Sequence, residues 1–202
     1  MKRVFCVVTL FLVSCTSNAG APFPFSDFGW DSSEKRIIDK SYLLLSDVVI
    51  GTTTLDEVVN IFGQSEVYRP SKKNYSPSLL CYKSEDDDTS VIFQSGPLGG
   101  WKTVTAIWIG KIDLIDEKRC VKSRLVSREK MVVNGLSLGL GIDAVRKIVG
   151  KSTFSNPSFL AYRYEGKTTL KNGKILDVSS GFEFEFSQNR LSWFRVYKQL
   201  SD

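Results

Sequence analysis

Histidine is absent from this 202-residue chain. Without it, imidazole acid–base chemistry and the Ser-His and Cys-His nucleophile pairs are excluded, and a zinc site would have to be built from other ligands. No phosphate-binding glycine loop and no dinucleotide fingerprint is present either. Asp87 and Asp88 are the only conceivable catalytic carboxylate pair, but they belong to the acidic run 85–88, with no apolar pocket implied that would raise one carboxyl above the other. The expectation is therefore a protein that is not an enzyme and takes no cofactor and no metal. Long hydrophobic runs are also missing: residues 4–13 make up about ten, against the roughly 20 that a spanning helix needs. Charge of one sign is not concentrated. The 27 basic and 22 acidic residues give +5; Lys2 and Arg3 fall in the N-terminal leader, which leaves 25 basic residues against 22 acidic ones and a net of +3. Scattered charge of that size argues against a nucleic-acid partner.

What is present begins with an export signal. Residues 1–19 read as a signal peptide, with Lys2 and Arg3 ahead of the apolar run. Leu12, Val13, Ser14 and Cys15 resemble the lipobox of bacterial lipoproteins, in which the cysteine becomes the lipid-bearing first residue. Ser17, Asn18 and Ala19 would instead serve an ordinary signal peptidase. The lipobox is the preferred reading, with lipidation at Cys15 and anchoring at the periplasmic face of the outer membrane as its consequences. Cys6 and Cys15 belong to the leader, so Cys81 and Cys120 are the pair left in an oxidising compartment, and a disulfide is expected. Residues 20–32 carry Pro22, Phe23, Pro24, Phe25, Phe28 and Trp30, and read as an extended tether, since proline forbids a helix there.

The folded part is organised around an echo. Residues 51–65, GTTTLDEVVNIFGQS, return 87 residues later at 139–152, GLGIDAVRKIVGKS. With Gly63 laid over Gly150, Leu55 falls on Ile142, Asp56 on Asp143, Val58 on Val145 and Ile61 on Ile148. The apolar spacing in both predicts a short amphipathic helix. Thr54 and Glu57 form a capping box, and Gly63 and Gly150 end the two helices. A further helix is predicted over 33–45. Strands are predicted at 79–83, 89–94 and 103–110, with a turn at 97–100, and again at 159–165, 174–178, 182–186 and 191–198. Asn172-Gly173 is a hairpin signal. The fold class is α+β: two tandem copies, at 33–125 and 126–202, of a short helix plus an antiparallel β-meander, with the helices on one face of the sheets.

Strand alternation then suggests a binding face. Phe182, Phe184 and Phe186 alternate with Glu183 and Glu185, which means one buried and one solvated side. If Phe194 and Val196 share the buried side, Trp193, Arg195 and Tyr197 point the other way. The offset of 87 puts Trp108 with them. Trp, Tyr and Arg are enriched at binding hot spots, so Trp108, Trp193, Arg195 and Tyr197 are the candidate protein-binding residues.

The motif Leu-x-Leu-Gly-x-x-x-x-x-Val-x-x-Ile-x-Gly at 136–150, with two helix-plus-meander copies, resembles the β-lactamase-inhibitor-protein-like fold, whose relatives include outer-membrane assembly lipoproteins of the SmpA/OmlA type. The direction of Trp108, Trp193, Arg195 and Tyr197 on the wet sheet face is the reason to expect an exported module that binds another protein, as an inhibitor or immunity protein does. The resemblance implies the alternative, a lipoprotein supporting outer-membrane assembly or envelope integrity.

Overall fold

The computed structural model describes residues 38–70, 76–111, 115–170 and 172–201. Of the readings above, the signal peptide, Cys15 and the tether lie outside them. The chain enters through a single 3-10 turn at Lys40–Leu43, capped by Asp39, whose carboxylate accepts from the Ser41 amide at 2.8 Å. A miniature hairpin follows, β1 (Leu44–Leu45) and β2 (Val48–Val49). The helix predicted over 33–45 is thus corrected in its described part. Leu43 and Leu45 are buried at period two around a turn with Ser46 at φ 52°, and the β-branched Val48 and Val49 favour the extended return.

Two α-helices occur among the described residues, and they are the echoed segments: α1 (Leu55–Phe62) and α2 (Ile142–Val149). The capping box of α1 is formed, Thr54 accepting from the Glu57 amide and Glu57 from the Thr54 amide. α2 has only Gly141 at that position and no side-chain cap. Both helices end at a glycine of positive φ, Gly63 at 103° and Gly150 at 101°.

The other strands are β3 (Ser78–Lys83), β4 (Ser90–Ser95), β5 (Ala106–Gly110), β6 (Val121–Lys122), β7 (Phe154–Asn156), β8 (Phe159–Thr169), β9 (Ile175–Ser187) and β10 (Arg190–Ser201). They form one eight-stranded sheet in the order β6-β3-β4-β5-β10-β9-β8-β7. This differs from two separate meander sheets, because β5 and β10 pair antiparallel and fuse the halves. The pairing is antiparallel throughout except at one margin, where β6 runs parallel to β3. The two marginal strands span two and three residues, a length that leaves little edge for another chain to join.

The segments predicted at 174–178 and 182–186 are one strand, β9. The strand runs through Ser179, Ser180 and Gly181 without a break, and Gly181 is a point of close approach. A Cβ on Gly181 would lie 1.9 Å from the Tyr162 carbonyl oxygen and 2.9 Å from the Tyr197 hydroxyl.

Both helices cover the same face. Leu55, Val58 and Phe62 of α1 and Val145 and Val149 of α2 share one apolar core with Leu80, Tyr82, Phe93, Ile107, Phe182, Phe184, Phe194 and Val196. Several contacts in one half have a counterpart in the other. The Gly51 amide donates to the Val104 carbonyl and the Gly139 amide to the Leu191 carbonyl, both at 2.8 Å; Val104 and Leu191 donate in turn to Thr53 and Leu140. The buried hydroxyl of Tyr82 donates to the Gly63 carbonyl at 2.8 Å, and that of Tyr162 to the Gly150 carbonyl at 3.0 Å. Desolvation pushes both phenols up to about 12.

Candidate functional site

The face opposite α1 and α2 is positioned by register. β9 and β10 are joined by Gln188 and Asn189, at φ 51° and 60°, a tight turn that pairs Arg190 with Ser187 and Leu191 with Phe186. Carried on unchanged, that register would set Trp193 opposite Phe184 and mismatch the faces. A β-bulge at Ser192 adds one residue, so Trp193 meets Glu185, Arg195 meets Glu183 and Tyr197 meets Gly181. The bulge needs space on its other side. Gly110 supplies it, since a Cβ there would lie 2.4 Å from the Ser192 carbonyl oxygen and 2.6 Å from the Trp193 Cα.

The result is a row straight across the sheet. Cys81 of β3 lies opposite Ile92 of β4, Ile92 opposite Trp108 of β5, Trp108 opposite Arg195 of β10, Arg195 opposite Glu183 of β9, and Glu183 opposite Ala161 of β8. Trp108 and Arg195 are 87 residues apart, so the matched positions of the two halves face each other at the seam. The Arg195 guanidinium lies over the Trp108 ring at 4.7 Å and the Tyr197 ring at 4.8 Å from their centroids. It also donates to both Glu183 carboxylate oxygens at 3.4 Å. Burial pulls the Arg195 pKa down while Glu183 opposes that shift. Burial, reinforced by Glu183, pushes the Tyr197 phenol up to about 12.

All four sequence-chosen residues therefore come together on the face opposite the helices. The expected solvation is corrected. Trp108 and Arg195 are each 1% exposed and Tyr197 is 3% exposed, while Trp193 alone is half-buried. The reason is a second layer of packing on this face. Leu79, Cys81, Ile92, Trp108, Ile115 and Cys120 form their own apolar cluster, with Tyr68 and Trp193 packed against it. The Cys81–Cys120 disulfide, with Cα atoms 4.6 Å apart, lies in it and ties the segment before β6 to β3.

Trp193 carries the packing outward. Its ring lies 5.4 Å from that of Trp108 and 6.4 Å from that of Phe159, which in turn lies 6.3 Å from Phe154. The Trp193 indole donates to the exposed Glu185 carboxylate. The Trp108 indole donates to Gln94 Oε1 at 3.0 Å, which fixes its ring. Sequence reasoning missed Glu183, Gln94 and Phe159. The alternation of Phe182–Phe186 placed Glu183 on the same face as Arg195, but pairing the two needed the bulge, which no residue type announces. Among the described residues, no group of acidic or cysteine side chains could hold a metal ion. The arrangement offers a rigid aromatic surface braced by an internal ion pair.

Comparison with known proteins gives no match: no family model, no curated protein and no solved structure is similar to this chain. The disulfide is compatible with export, and among the described residues no helix is long and apolar enough to cross a membrane.

Proposed function

We propose that this chain is an exported, non-enzymatic module that binds another protein, as an inhibitor or immunity-type protein does, through the sheet face opposite its helices. One observation carries the reading: the contiguous ring series Trp108, Trp193, Phe159 and Phe154 lies on the face opposite α1 and α2, with Trp193 and Phe159 half-buried. Trp193 and Phe159 make the contact on this reading, while Trp108, Arg195 and Tyr197 hold them in place. Such preorganisation lowers the ordering cost of association, since the rings have little freedom left to lose.

Trp193→Ala separates the roles. Loss of a half-buried hot-spot tryptophan should weaken capture of the partner from periplasmic extract by about 30-fold or more, with the fold retained. Undiminished capture by a folded Trp193→Ala protein would refute the assignment. Trp108→Ala is a poor probe, because truncating a fully buried ring costs about 3–5 kcal/mol of stability by itself.

Two further parts belong to this proposal. The counterpart glycine, tyrosine and backbone contacts in the two halves support two tandem copies of one helix-plus-meander unit, as in the β-lactamase-inhibitor-protein-like fold. Lipid anchoring at Cys15 is testable by fractionation: Cys15→Ser should move the protein from the membrane to the soluble periplasm, and an unchanged distribution would leave cleavage after Ala19.

A further inference from the structure

The β8–β9 hairpin stands apart from the surface just described. β10 pairs with β9 as far as Ser201 opposite Asp177, whereas β8 continues on β9 to Thr168 opposite Leu176 and Thr169 opposite Ile175. On the outer side, β7 reaches only to Ala161. Among the described residues the hairpin continues beyond the pairing of its neighbours, and its turn is closed by the Leu170 amide donating to the Lys174 carbonyl. At that end Ile175 is 61% exposed and Leu170 38% exposed, and Ile175 is the most exposed large hydrophobic among the described residues. Lys167 and Lys174 flank them, and the sequence holds no acidic residue between Glu165 and Asp177. Asp177 is 3.6 Å from Lys167, a solvent-exposed pair that screening leaves weak.

We propose that this tip is a membrane-contact site that takes an anionic lipid surface. The residue types favour lipid over protein. Lysine is depleted at protein–protein interfaces, and the tip lacks the Trp, Tyr and Arg that dominate hot spots. Lysines flanking exposed aliphatic side chains fit a headgroup layer. The aliphatic chains enter the acyl boundary, while the ammonium groups stay at the phosphates on long apolar stems. Charge complementarity selects the anionic surface, since each lysine near such a surface strengthens binding about fivefold, a gain that falls off over a Debye length and weakens as added salt shortens that length. This site is separate from the proposed protein-binding face and does not rest on it.

The test uses the Cys15→Ser full-length chain, so that a lipid anchor does not mask the contact, in sedimentation with vesicles of phosphatidylethanolamine and phosphatidylglycerol. Binding is expected, decreasing with added salt and absent from phosphatidylcholine vesicles. Lys167→Ala and Lys174→Ala should each weaken it about fivefold. Leu170→Asp with Ile175→Asp should abolish it while the thermal midpoint, set by buried residues, stays in place. Lys118→Ala and Lys147→Ala, on other surfaces, should leave it unchanged. The proposal is overturned if the parent protein does not sediment with anionic vesicles, if the double aspartate variant binds as well as the parent, or if Lys118 and Lys147 matter as much as the tip lysines. A tip variant that loses capture of a protein partner while vesicle binding persists would also overturn it.

Discussion

Consider removal of one partner from the Arg195–Glu183 pair. Glu183 is fully buried and Arg195 is 1% exposed, so Arg195→Met leaves a carboxylate in an apolar layer with its guanidinium partner gone. Breaking a buried pair from one side costs about 3–5 kcal/mol, mostly the penalty of the stranded charge. At about 2–4 °C per kcal/mol for a chain of this size, the thermal midpoint should fall by roughly 6–20 °C. Glu183→Met strands the guanidinium between Trp108 and Tyr197 and should cost a similar amount. Glu183→Met/Arg195→Met removes both charges and should recover much of the loss, because a buried pair replaced by apolar groups of similar volume is often neutral. Urea titrations of the four proteins give the coupling energy as a double-mutant cycle. Additive single-variant losses, or single losses below about 1 kcal/mol, would refute a tightly coupled buried pair.

Other consequences follow from the same structure. Cys81→Ser/Cys120→Ser opens a loop spanning 39 residues and should cost about 4 kcal/mol in the chain-entropy estimate; mild reductant should raise hydrogen exchange in β3–β5 before β8–β10, and uniform loss would mean a single cooperative unit. Tyr82→Phe and Tyr162→Phe each delete one matched bond to a helix-terminal glycine carbonyl and should cost similar amounts, about 0.5–1.5 kcal/mol, in chemical denaturation; a loss confined to one would break the correspondence of the halves. Tyr82, Tyr162 and Tyr197 all have phenols pushed up to about 12 by burial. A raised folded pKa means the unfolded chain gives up its protons first, so this stabilisation is complete below about pH 10 and is lost as pH rises from about 10 to about 12. Midpoints measured across that window should fall steadily. Ionisation of these three phenols near pH 10 with the fold intact, read as the tyrosinate absorbance that their Phe variants lack, would contradict it.

Much of this architecture was legible before the coordinates because it rests on local chemistry. The spacing of Leu55, Val58 and Phe62 and of Ile142, Val145 and Val149 marks both helices. Strand alternation put Trp108, Trp193, Arg195 and Tyr197 on one face and Phe182, Phe184 and Phe194 on the other. What stayed hidden depends on partners far apart in sequence. The fusion into one sheet follows from β5 meeting β10, and neither strand's composition declares which edge it will join. Ile38, Tyr42 and Leu45 are spaced as in a helix, yet Tyr42 is placed by its bond to the Ile148 carbonyl and its edge-on contact with Phe182. Phe154 and Phe159 lie half-buried beside Trp193 on the face opposite the helices, a position set by the pairing of β7 and β8 with β9. The burial of Arg195 was illegible for a similar reason: a charged residue in an alternating strand reads as solvated until the register sets Glu183 beside it.

The central claim, that the face opposite α1 and α2 is where a partner docks, is tested most directly by photocrosslinking from defined positions. A benzophenone side chain at the exposed position of Glu185, beside Trp193, should yield one discrete adduct in cells, and Trp193→Ala should remove it. The same probe at Lys147, on the exposed side of α2, should yield none. An adduct from Lys147 with none from Glu185 would put the partner on the helix layer and contradict the account.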